Sequence, residues 1–267
     1  MMQRSRMPTA ARRVFFWLAF AVVPASVAKA DVCEGRDVIT PQAIFECGLS
    51  NYLVEGPQRD AKAAASWFAK AAARGNVDAA TNLGQMYLDG DGVPQSDRDG
   101  FLWLRKAAEG GQPKAMYGLA LLYESERGSE VDYRKAAEWY ERAAENGHAQ
   151  AKNNLANMLR YGQGVPADLR RAAKLYEEAA QQGNPSAAYN LAWMVYRGIG
   201  VDADPVDAYK WFFIARSLGA PSLTILALEE TTALERALSP AQLAEAENRL
   251  RAWRPRRPSD RGQAGSP

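Results

Sequence analysis

The side chains that could catalyse a reaction or bind a metal are few in this chain and lie far apart. Its single histidine, His148, is found in the stretch AAENGHAQAK, and its two cysteines are Cys33 and Cys47. Histidine is the commonest general base near neutral pH and a frequent metal ligand. One histidine and two distant cysteines do not, however, supply a His-based triad, a Cys–His pair or a zinc site of the usual composition. We therefore expect neither a metal site nor a cofactor.

Acidic residues are numerous, so two carboxylates could act together as a general acid and a general base. Most of them lie at predicted helix N-termini or on predicted solvated helix faces, as Glu138 and Glu177 do, and such positions are ordinarily structural. Gly-x-Gly stretches such as Gly162–Gly164 resemble phosphate-binding loops, but here they connect two predicted helices rather than a strand and a helix. The sequence therefore predicts a protein that is not an enzyme.

The first thirty residues have the pattern of a cleaved signal peptide. A positively charged start that includes Arg12 and Arg13 precedes the apolar stretch VFFWLAFAVV, and Ala28-Lys29-Ala30 is a small-residue cleavage site. The apolar stretch is shorter than the roughly twenty residues that span a bilayer. We expect residues 1–30 to be removed, which would leave an exported protein, periplasmic or secreted, with no membrane insertion after cleavage.

The charge of the predicted mature chain argues against a nucleic-acid partner. Residues 1–30 hold five basic residues and no acidic ones, so that 28 basic and 31 acidic residues remain. The body from residue 31 to residue 253 has 24 basic and 30 acidic residues, and the sequence pI near 8.5 is due to the two ends. A mildly acidic body lacks the basic surface that nucleic acids require.

Both cysteines remain in the predicted mature chain, fourteen positions apart. In an oxidising compartment we expect Cys33 and Cys47 to form a disulfide. Such a short loop would stabilise the fold by about 3 kcal/mol in the chain-entropy model. The alternative is that both are buried free thiols. Residues 31–42 are predicted to form an N-terminal cap on the first repeat.

A period of thirty-six residues runs through the middle of the chain without a slip. A glycine recurs at Gly75, Gly111, Gly147, Gly183 and Gly219. An aromatic or leucine pair recurs at Trp67-Phe68, Trp103-Leu104, Trp139-Tyr140, Leu175-Tyr176 and Trp211-Phe212. Such a period is the signature of a solenoid, in which each unit buries its apolar face only against its neighbours.

Each unit is predicted to contain two helices, which we term A and B. In the A helix of the second unit, Ala80, Leu83 and Tyr87 share one apolar face. Each B helix would bury both members of its aromatic pair and would end at the recurring glycine. One repeat position offers an N-cap for every B helix, namely Asp60, Ser96, Asp132, Asp168 and Asp204.

The period also explains the position of the histidine. His148 occupies the same repeat position as three other polar residues, which are Asn76, Gln112 and Asn184. A proline follows directly in two of these units, as Pro113 and Pro185, and proline is favoured as the first residue of a helix. The sequence therefore predicts that His148 is the N-cap of an A helix rather than a catalytic base.

The whole unit resembles the Sel1-like repeat, a relative of the tetratricopeptide repeat. It combines the pattern A-x3-L-[GA]-x-[ML]-[YLV] in helix A, a G-x-G-V loop, a D-x3-A start of helix B, the pair W-[FLY]-x2-A-A and a closing glycine. The resemblance implies an all-α fold, a right-handed α/α solenoid of about five 36-residue helix-turn-helix repeats with a C-terminal capping helix. Units are predicted at residues 43–78, 79–114, 115–150, 151–186 and 187–221, followed by capping helices over 222–253 and a disordered tail over 254–267.

Sel1-like proteins are mostly adaptors and scaffolds, so the resemblance implies an exported adaptor that binds another protein or peptide, with a regulatory role in the cell envelope. Two alternatives are a hydrolase acting on the cell wall or on β-lactams, and a structural subunit of an envelope machine. A cysteine-rich branch of the family is associated with β-lactam binding and hydrolysis. Its cysteine pair in each repeat is absent here beyond Cys47.

A second stripe on the A helices, whose residues vary between units, should line the concave surface, because solenoids of this type curve with helix A inward. Asn side chains there could pair with an extended peptide, and aromatic and arginine side chains could anchor it. The predicted partner-binding residues are Asn82, Gln85, Asn154, Asn157, Arg160, Tyr161, Tyr189, Asn190, Trp193 and Arg197. Alternatively, the recurring asparagines serve repeat geometry and Trp193 packs against the C-terminal cap. The protein is expected to be a monomer.

The third unit departs from the pattern in its loop. The stretch ESERGSEVD, from Glu124 to Asp132, keeps the length of the other loops but lacks their first glycine and their valine. This departure predicts either a contact specific to the partner or simple sequence drift.

Overall fold

The helices follow the predicted alternation of A and B units. The computed structural model describes residue 33 and residues 40–54, 59–127 and 130–255, and within these residues twelve α-helices are the regular elements. The chain divides into residues 1–37, of which only Cys33 is described, and residues 38–267, which contain the helices. The predicted signal peptide lies outside the described residues, and so does the predicted tail beyond residue 255.

Five A helices and five B helices alternate along the chain, and two more helices follow them. The A helices are α1 (Pro41–Tyr52), α3 (Val77–Asp89), α5 (Pro113–Tyr123), α7 (Ala149–Tyr161) and α9 (Pro185–Arg197). The B helices are α2 (Ala61–Ala73), α4 (Asp97–Glu109), α6 (Tyr133–Glu145), α8 (Leu169–Gln181) and α10 (Pro205–Leu218). The last two are α11 (Pro221–Ala237) and α12 (Pro240–Ala252).

Helix starts are fixed by the side chains that the period predicts. Every B helix begins after its expected cap; in α2, for example, Asp60 Oδ1 accepts from the backbone N–H of Ala63 at 2.8 Å. The A-helix caps are confirmed as well, and His148 Nδ1 accepts from the backbone N–H of Ala151 at 3.3 Å. These bonds satisfy N–H groups that have no partner within the helix.

The core is a continuous apolar strip between the two rows of helices. The second member of each aromatic pair is at most 2% exposed, a set formed by Phe68, Leu104, Tyr140, Tyr176 and Phe212. Alanines on the B helices, such as Ala107 and Ala143, are fully buried, and they let neighbouring helices approach closely. Because each unit shares this strip with the next, the repeats are stable only as a stack.

The first member of the aromatic pair is less deeply buried than expected. The prediction that helix B buries both members is wrong in four of the five units, where this residue is only half-buried, as at Trp67, Trp103, Trp139 and Leu175. The cation three residues further along the helix accounts for the three tryptophans, since Arg142 lies 4.2 Å from the centre of the Trp139 ring and Lys70 and Lys106 take similar positions. Each of these tryptophans is therefore only half-buried and makes a cation–π contact at the surface.

The divergent loop of the third unit makes contacts inside the chain. Arg127 Nη2 donates to the Leu88 carbonyl oxygen at 2.8 Å and to Asp97 Oδ1 at 2.6 Å. The guanidinium thus satisfies a carbonyl at the end of α3 and pairs with the first residue of α4. The loop side chain joins the second and third repeats.

The C-terminal end departs from the repeat in its backbone. Gly219 has φ −79°, whereas Gly75, Gly111, Gly147 and Gly183 all have positive φ. The residue after it is Ala220, which offers no side-chain cap to α11. The next helix, α12, begins with a capping box formed by Ser239 and Gln242.

Both cysteines are disulfide-bonded, which confirms the predicted oxidised pair. Cys47 lies on α1 and is 3% exposed. Among the described residues, no helix combines the length and apolar character needed to cross a membrane.

Candidate binding surface on the A helices

The A helices lie side by side, and their side chains contact one another from repeat to repeat. Asn76 donates to Gln42 Oε1 at 3.2 Å, Gln112 donates to Asp78, and Asn190 Nδ2 donates to Asn153 Oδ1 at 3.2 Å. We call the side of this row that carries the ten predicted residues the A-helix surface. Eight of the ten are half-buried, while Tyr161 and Arg197 are exposed.

A chain of hydrogen bonds runs from the fifth repeat to the third. Asn190 donates to Asn153, whose Nδ2 donates to Asn154 Oδ1 at 3.2 Å. Asn154 Nδ2 in turn donates to the Tyr140 hydroxyl at 3.1 Å, and that hydroxyl donates to Glu124 Oε2 at 2.5 Å. Every donor points towards the carboxylate, so the asparagines at 154 and 190 take part in contacts between repeats.

At the end of this hydrogen-bond chain, the pKa values of Glu124 and Tyr140 are both raised. Burial raises the pKa of Glu124, and the hydrogen bond from Tyr140 partly offsets that rise. Burial and the neighbouring Glu124 carboxylate raise the pKa of Tyr140 strongly, so its hydroxyl stays protonated and remains a donor. The hydrogen bond between Tyr140 and Glu124 therefore connects α6 to the C-terminal end of α5.

We expect Tyr140→Phe to cost more stability than Tyr176→Phe, although both rings are fully buried. The first change removes the donor of a half-buried carboxylate and the acceptor of the Asn154 amide, a loss of about 2 kcal/mol. The second removes a hydroxyl that donates to the neutral Asn157 Oδ1 at 2.5 Å, a loss of about 1 kcal/mol. Urea unfolding of both variants measures the difference. Equal losses would show that the Glu124 contact adds nothing.

Aromatic and arginine side chains meet at the C-terminal end of α7. The Arg160 guanidinium lies 5.2 Å from the ring centre of Tyr161, which is 69% exposed. Arg160 also lies beside the Tyr176 hydroxyl, whose pKa burial raises to about 12 despite the nearby positive charge. An exposed aromatic ring thus stands next to a cation on this helix.

The same combination recurs one repeat later, on α9. Trp193 is half-buried, with edge contacts to Phe212 at 5.5 Å and to Tyr196 at 5.8 Å between ring centres. The Arg197 guanidinium lies 4.5 Å from the centre of the Trp193 ring. Tyr189 is also half-buried and contacts Phe212 at 5.5 Å. The ring contacts of Trp193 are thus made to α9 and α10.

The second repeat contributes polar groups to the A-helix surface. Gln85 Nε2 donates to Asp89 Oδ2 at 2.8 Å. Asn82 is half-buried, and its side chain forms no hydrogen bond with any residue that the structure describes. These side chains lie far along the row from the aromatic residues of α7 and α9.

The sequence did not predict that Asn153, Tyr140 and Glu124 form the hydrogen-bond chain that supports this surface. A signal for Asn153 was present, because its repeat position holds Tyr117 in the third unit and Tyr189 in the fifth. An amide at an aromatic position that is 8% exposed requires a hydrogen-bond partner. The period does not identify its partners, since Asn154 is a neighbour on the same helix and Asn190 lies on the A helix of the next repeat.

The histidine is placed for a structural role. Its ring stacks on Tyr117 with centroids 4.6 Å apart and an interplanar angle of 21°. Burial and the nearby Lys114 lower the pKa of His148 to about 4, so the ring is neutral near pH 7 and Nδ1 is free to accept the cap bond. Among the described residues, no group of three or more His, Cys, Asp or Glu side chains could hold a metal ion.

An open cleft of about 680 Å³ lies between α6, α7 and the start of α8. Its walls include Leu155, Leu159 and the Arg171–Glu141 ion pair. None of the ten predicted residues lines it. The cleft is therefore separate from the A-helix surface.

Comparison with known proteins agrees with this architecture. The model of the Sel1 repeat family matches residues 41–76, 77–112, 113–148, 149–184 and 185–219, and the chain belongs to that family. Each match starts at the first residue of an A helix, two residues before the predicted unit boundary. Sel1 repeat proteins generally mediate protein–protein interaction, and their scaffold is typically non-enzymatic.

Several solved structures are similar to this chain. A Sel1 repeat protein from Oxalobacter formigenes is 30% identical, with 70% of this chain and 76% of that chain covered and a TM-score of 0.65. The protective antigen c5321 of uropathogenic Escherichia coli is 24% identical over 80% of this chain and 61% of that chain, with a TM-score of 0.45. Immunity protein Pa5087 from Pseudomonas aeruginosa is 16% identical over 85% and 88%, with a TM-score of 0.48. No curated protein matches the sequence.

Proposed function

We propose that this protein is an exported adaptor that binds another protein or peptide through its A-helix surface. The observation that carries the proposal is the recurrence of an aromatic ring beside an arginine on consecutive A helices, Arg160 with Tyr161 and Trp193 with Arg197. Tyrosine, tryptophan and arginine are the residues that most often dominate the binding energy of protein interfaces. A ring that is 69% exposed, as Tyr161 is, offers apolar area that a partner can bury.

The polar part of the surface complements these anchors. Asn82 has an amide without a partner among the described residues, and Asn157 and Gln85 lie on the same stripe. Side-chain amides pair readily with the backbone of an extended peptide. Asn154 and Asn190 form hydrogen bonds between repeats. We propose that these bonds hold the A-helix surface in shape and that the two side chains also contact the partner.

Export is the second part of the proposal. The first thirty residues have the pattern of a cleaved signal peptide, and the bonded state of Cys33 and Cys47 suits an oxidising compartment. We propose a periplasmic or secreted protein in which α11 and α12 close the C-terminal end of the repeats. A regulatory role in the cell envelope fits an adaptor in that location.

Capture of partners in the cells that make the protein tests the proposal. Tyr161→Ala/Arg197→Ala removes two exposed side chains of the A-helix surface, and chemical crosslinking with mass spectrometry compares its partners with those of the unaltered protein. The matched control is Tyr133→Ala/Arg134→Ala on α6, which also removes an exposed tyrosine and an exposed arginine. We expect partner yield to fall only in the first variant. Equal yields in all three proteins would reject the A-helix surface as the binding site.

A further inference from the structure

Acidic residues are absent from three consecutive A helices. Within their bounds, α5, α7 and α9 contain no aspartate or glutamate, and their four basic residues are Lys114, Lys152, Arg160 and Arg197. The body of the chain is acidic as a whole, with 30 acidic and 24 basic residues between residues 31 and 253. The absence of carboxylates is therefore a local property of these three helices, and the Glu124 carboxylate, which directly follows α5, accepts a hydrogen bond from Tyr140.

The B helices α4, α6 and α8 carry residues of both charges. Their eight acidic residues are Asp97, Asp99, Glu109, Glu138, Glu141, Glu145, Glu177 and Glu178, and their nine basic residues are Arg98, Arg105, Lys106, Arg134, Lys135, Arg142, Arg170, Arg171 and Lys174. One A-helix cation is neutralised from that row, because Lys152, which is 9% exposed, pairs with Glu178. The A helices α5, α7 and α9 thus carry only positive charge, whereas the B helices carry mixed charge, and Lys114, Arg160 and Arg197 remain on the A side.

The two arginines have no carboxylate partner. Neither Arg160 nor Arg197 forms an ion pair with a described residue, and each guanidinium rests against an aromatic side chain. By contrast, Arg59, Arg127, Arg171 and Arg249 all pair with carboxylates. A guanidinium stacked on a ring keeps its N–H donors free at the edge, in a planar arrangement that fits a carboxylate.

The basic segment is bounded by acidic side chains at both ends of the row. Asp78 and Asp89 lie on α3, before it, and Glu229 and Glu230 lie on α11, after it. Burial and the neighbouring Glu229 carboxylate raise the pKa of Glu230, and the positive charge of nearby Arg197 partly offsets that rise. A bound anion would therefore be favoured on α5, α7 and α9 and disfavoured beyond them.

We propose that the A-helix surface over repeats three to five binds an acidic peptide segment of a partner protein, an inference that rests on the adaptor function proposed above. Carboxylates of the segment pair with Arg160 and Arg197, and an apolar side chain packs on Tyr161 or Trp193. Three neighbouring helices with axes about 8–10 Å apart span about 20 Å. An extended chain covers that distance with about six residues. The acidic flanks limit the segment to this length.

Peptide binding to the purified full chain tests the proposal. The probes are fluorescein-labelled peptide pools of about eight residues, one drawn from Asp, Glu, Ser, Leu and Tyr, a second with Lys and Arg in place of the acids, and a third with Gln and Asn. Fluorescence anisotropy measures each affinity. We expect the acidic pool to bind most tightly, and its affinity to fall with added salt.

Paired variants assign the binding to the two arginines. Arg160→Ala/Arg197→Ala should weaken the acidic pool at least about tenfold. The matched control Arg142→Ala/Arg170→Ala removes two cations from the B helices, one of them over Trp139 at 4.2 Å, and should change the affinity by less than about twofold. Circular dichroism confirms that both variants remain helical.

The outcomes separate this inference from the adaptor function. An acidic pool that binds equally well to Arg160→Ala/Arg197→Ala, a basic or neutral pool that binds more tightly, or no binding by any pool overturns the inference. If a neutral pool binds and Tyr161→Ala abolishes the binding, the A-helix surface is still a binding site and only the acidic partner is wrong. The adaptor function fails on its own test, when partner capture is unchanged by Tyr161→Ala/Arg197→Ala.

Discussion

Gly200→Ala is expected to destabilise the fold by about 3 kcal/mol, the sum of backbone strain near 1 kcal/mol and a steric cost near 2 kcal/mol. The residue has φ +71°, and a Cβ atom there would lie 2.5 Å from the carbonyl oxygen of Leu169, the first residue of α8. Because that oxygen belongs to the backbone of a helix, it cannot move away as the end of a flexible side chain could. The loop between α9 and α10 would therefore move away from the preceding repeat.

Gly183→Ala is the matched control for this substitution. Gly183 also has positive φ, +84°, but a Cβ atom there would meet nothing within 4 Å. We expect it to lose only the strain, about 1 kcal/mol. Urea denaturation followed by circular dichroism measures both variants, and midpoints are compared directly because repeat proteins can unfold in parts. If Gly183→Ala proved as damaging as Gly200→Ala, close contact between loop and helix would not be what requires the glycine.

The second large effect concerns pH and depends on His148. The pKa of its ring is about 4 in the fold, below the ordinary value of 6.5. Between these two values the unfolded chain binds a proton that the folded chain does not, so stability falls as pH decreases from 6.5 to 4. A shift of this size corresponds to about 3 kcal/mol. Protonation of Nδ1 would also break the cap bond to Ala151.

His148→Asn isolates this contribution, because asparagine caps two other A helices at the same repeat position, as Asn76 and Asn184. The variant should match the unaltered protein near pH 7.5 and lose much less stability on acidification to pH 4. Glu124 acts in the opposite direction, since a raised carboxyl pKa favours the fold at low pH, and it is present in both proteins. Parallel stability curves over this pH range would contradict the assigned role of His148.

The repeat period predicts most of the architecture, because it reports the burial that each position has in common across units. It places the caps, the buried second aromatic series and the ends of four B helices without any knowledge of coordinates. It fails where one unit differs from the rest. In the third unit Arg127 donates to the Leu88 carbonyl of the preceding repeat, and after the fifth unit Ala220 leaves α11 without a side-chain cap.

The repeat period predicts even less about the contacts between side chains of the A-helix surface. The spacing indicates which side chains share a face, but it contains no information on which of them pair with each other. The bond between Asn154 and Tyr140 and the ion pair between Lys152 and Glu178 join helices that lie in different rows. Such pairs depend on the angle and distance between helices, and these follow from packing rather than from the period.

We propose that the A-helix surface contacts a partner protein, and site-specific photo-crosslinking is a direct test of this claim. p-Benzoylphenylalanine at Tyr161 places the reactive group on α7, at a side chain that is 69% exposed. The same group at Tyr133, which is 39% exposed, places it on α6 in the row of B helices. In cells that produce the protein, we predict a covalent adduct with another protein from position 161 and none from position 133. Adducts from position 133 alone, or equal adducts from both, would contradict the claim.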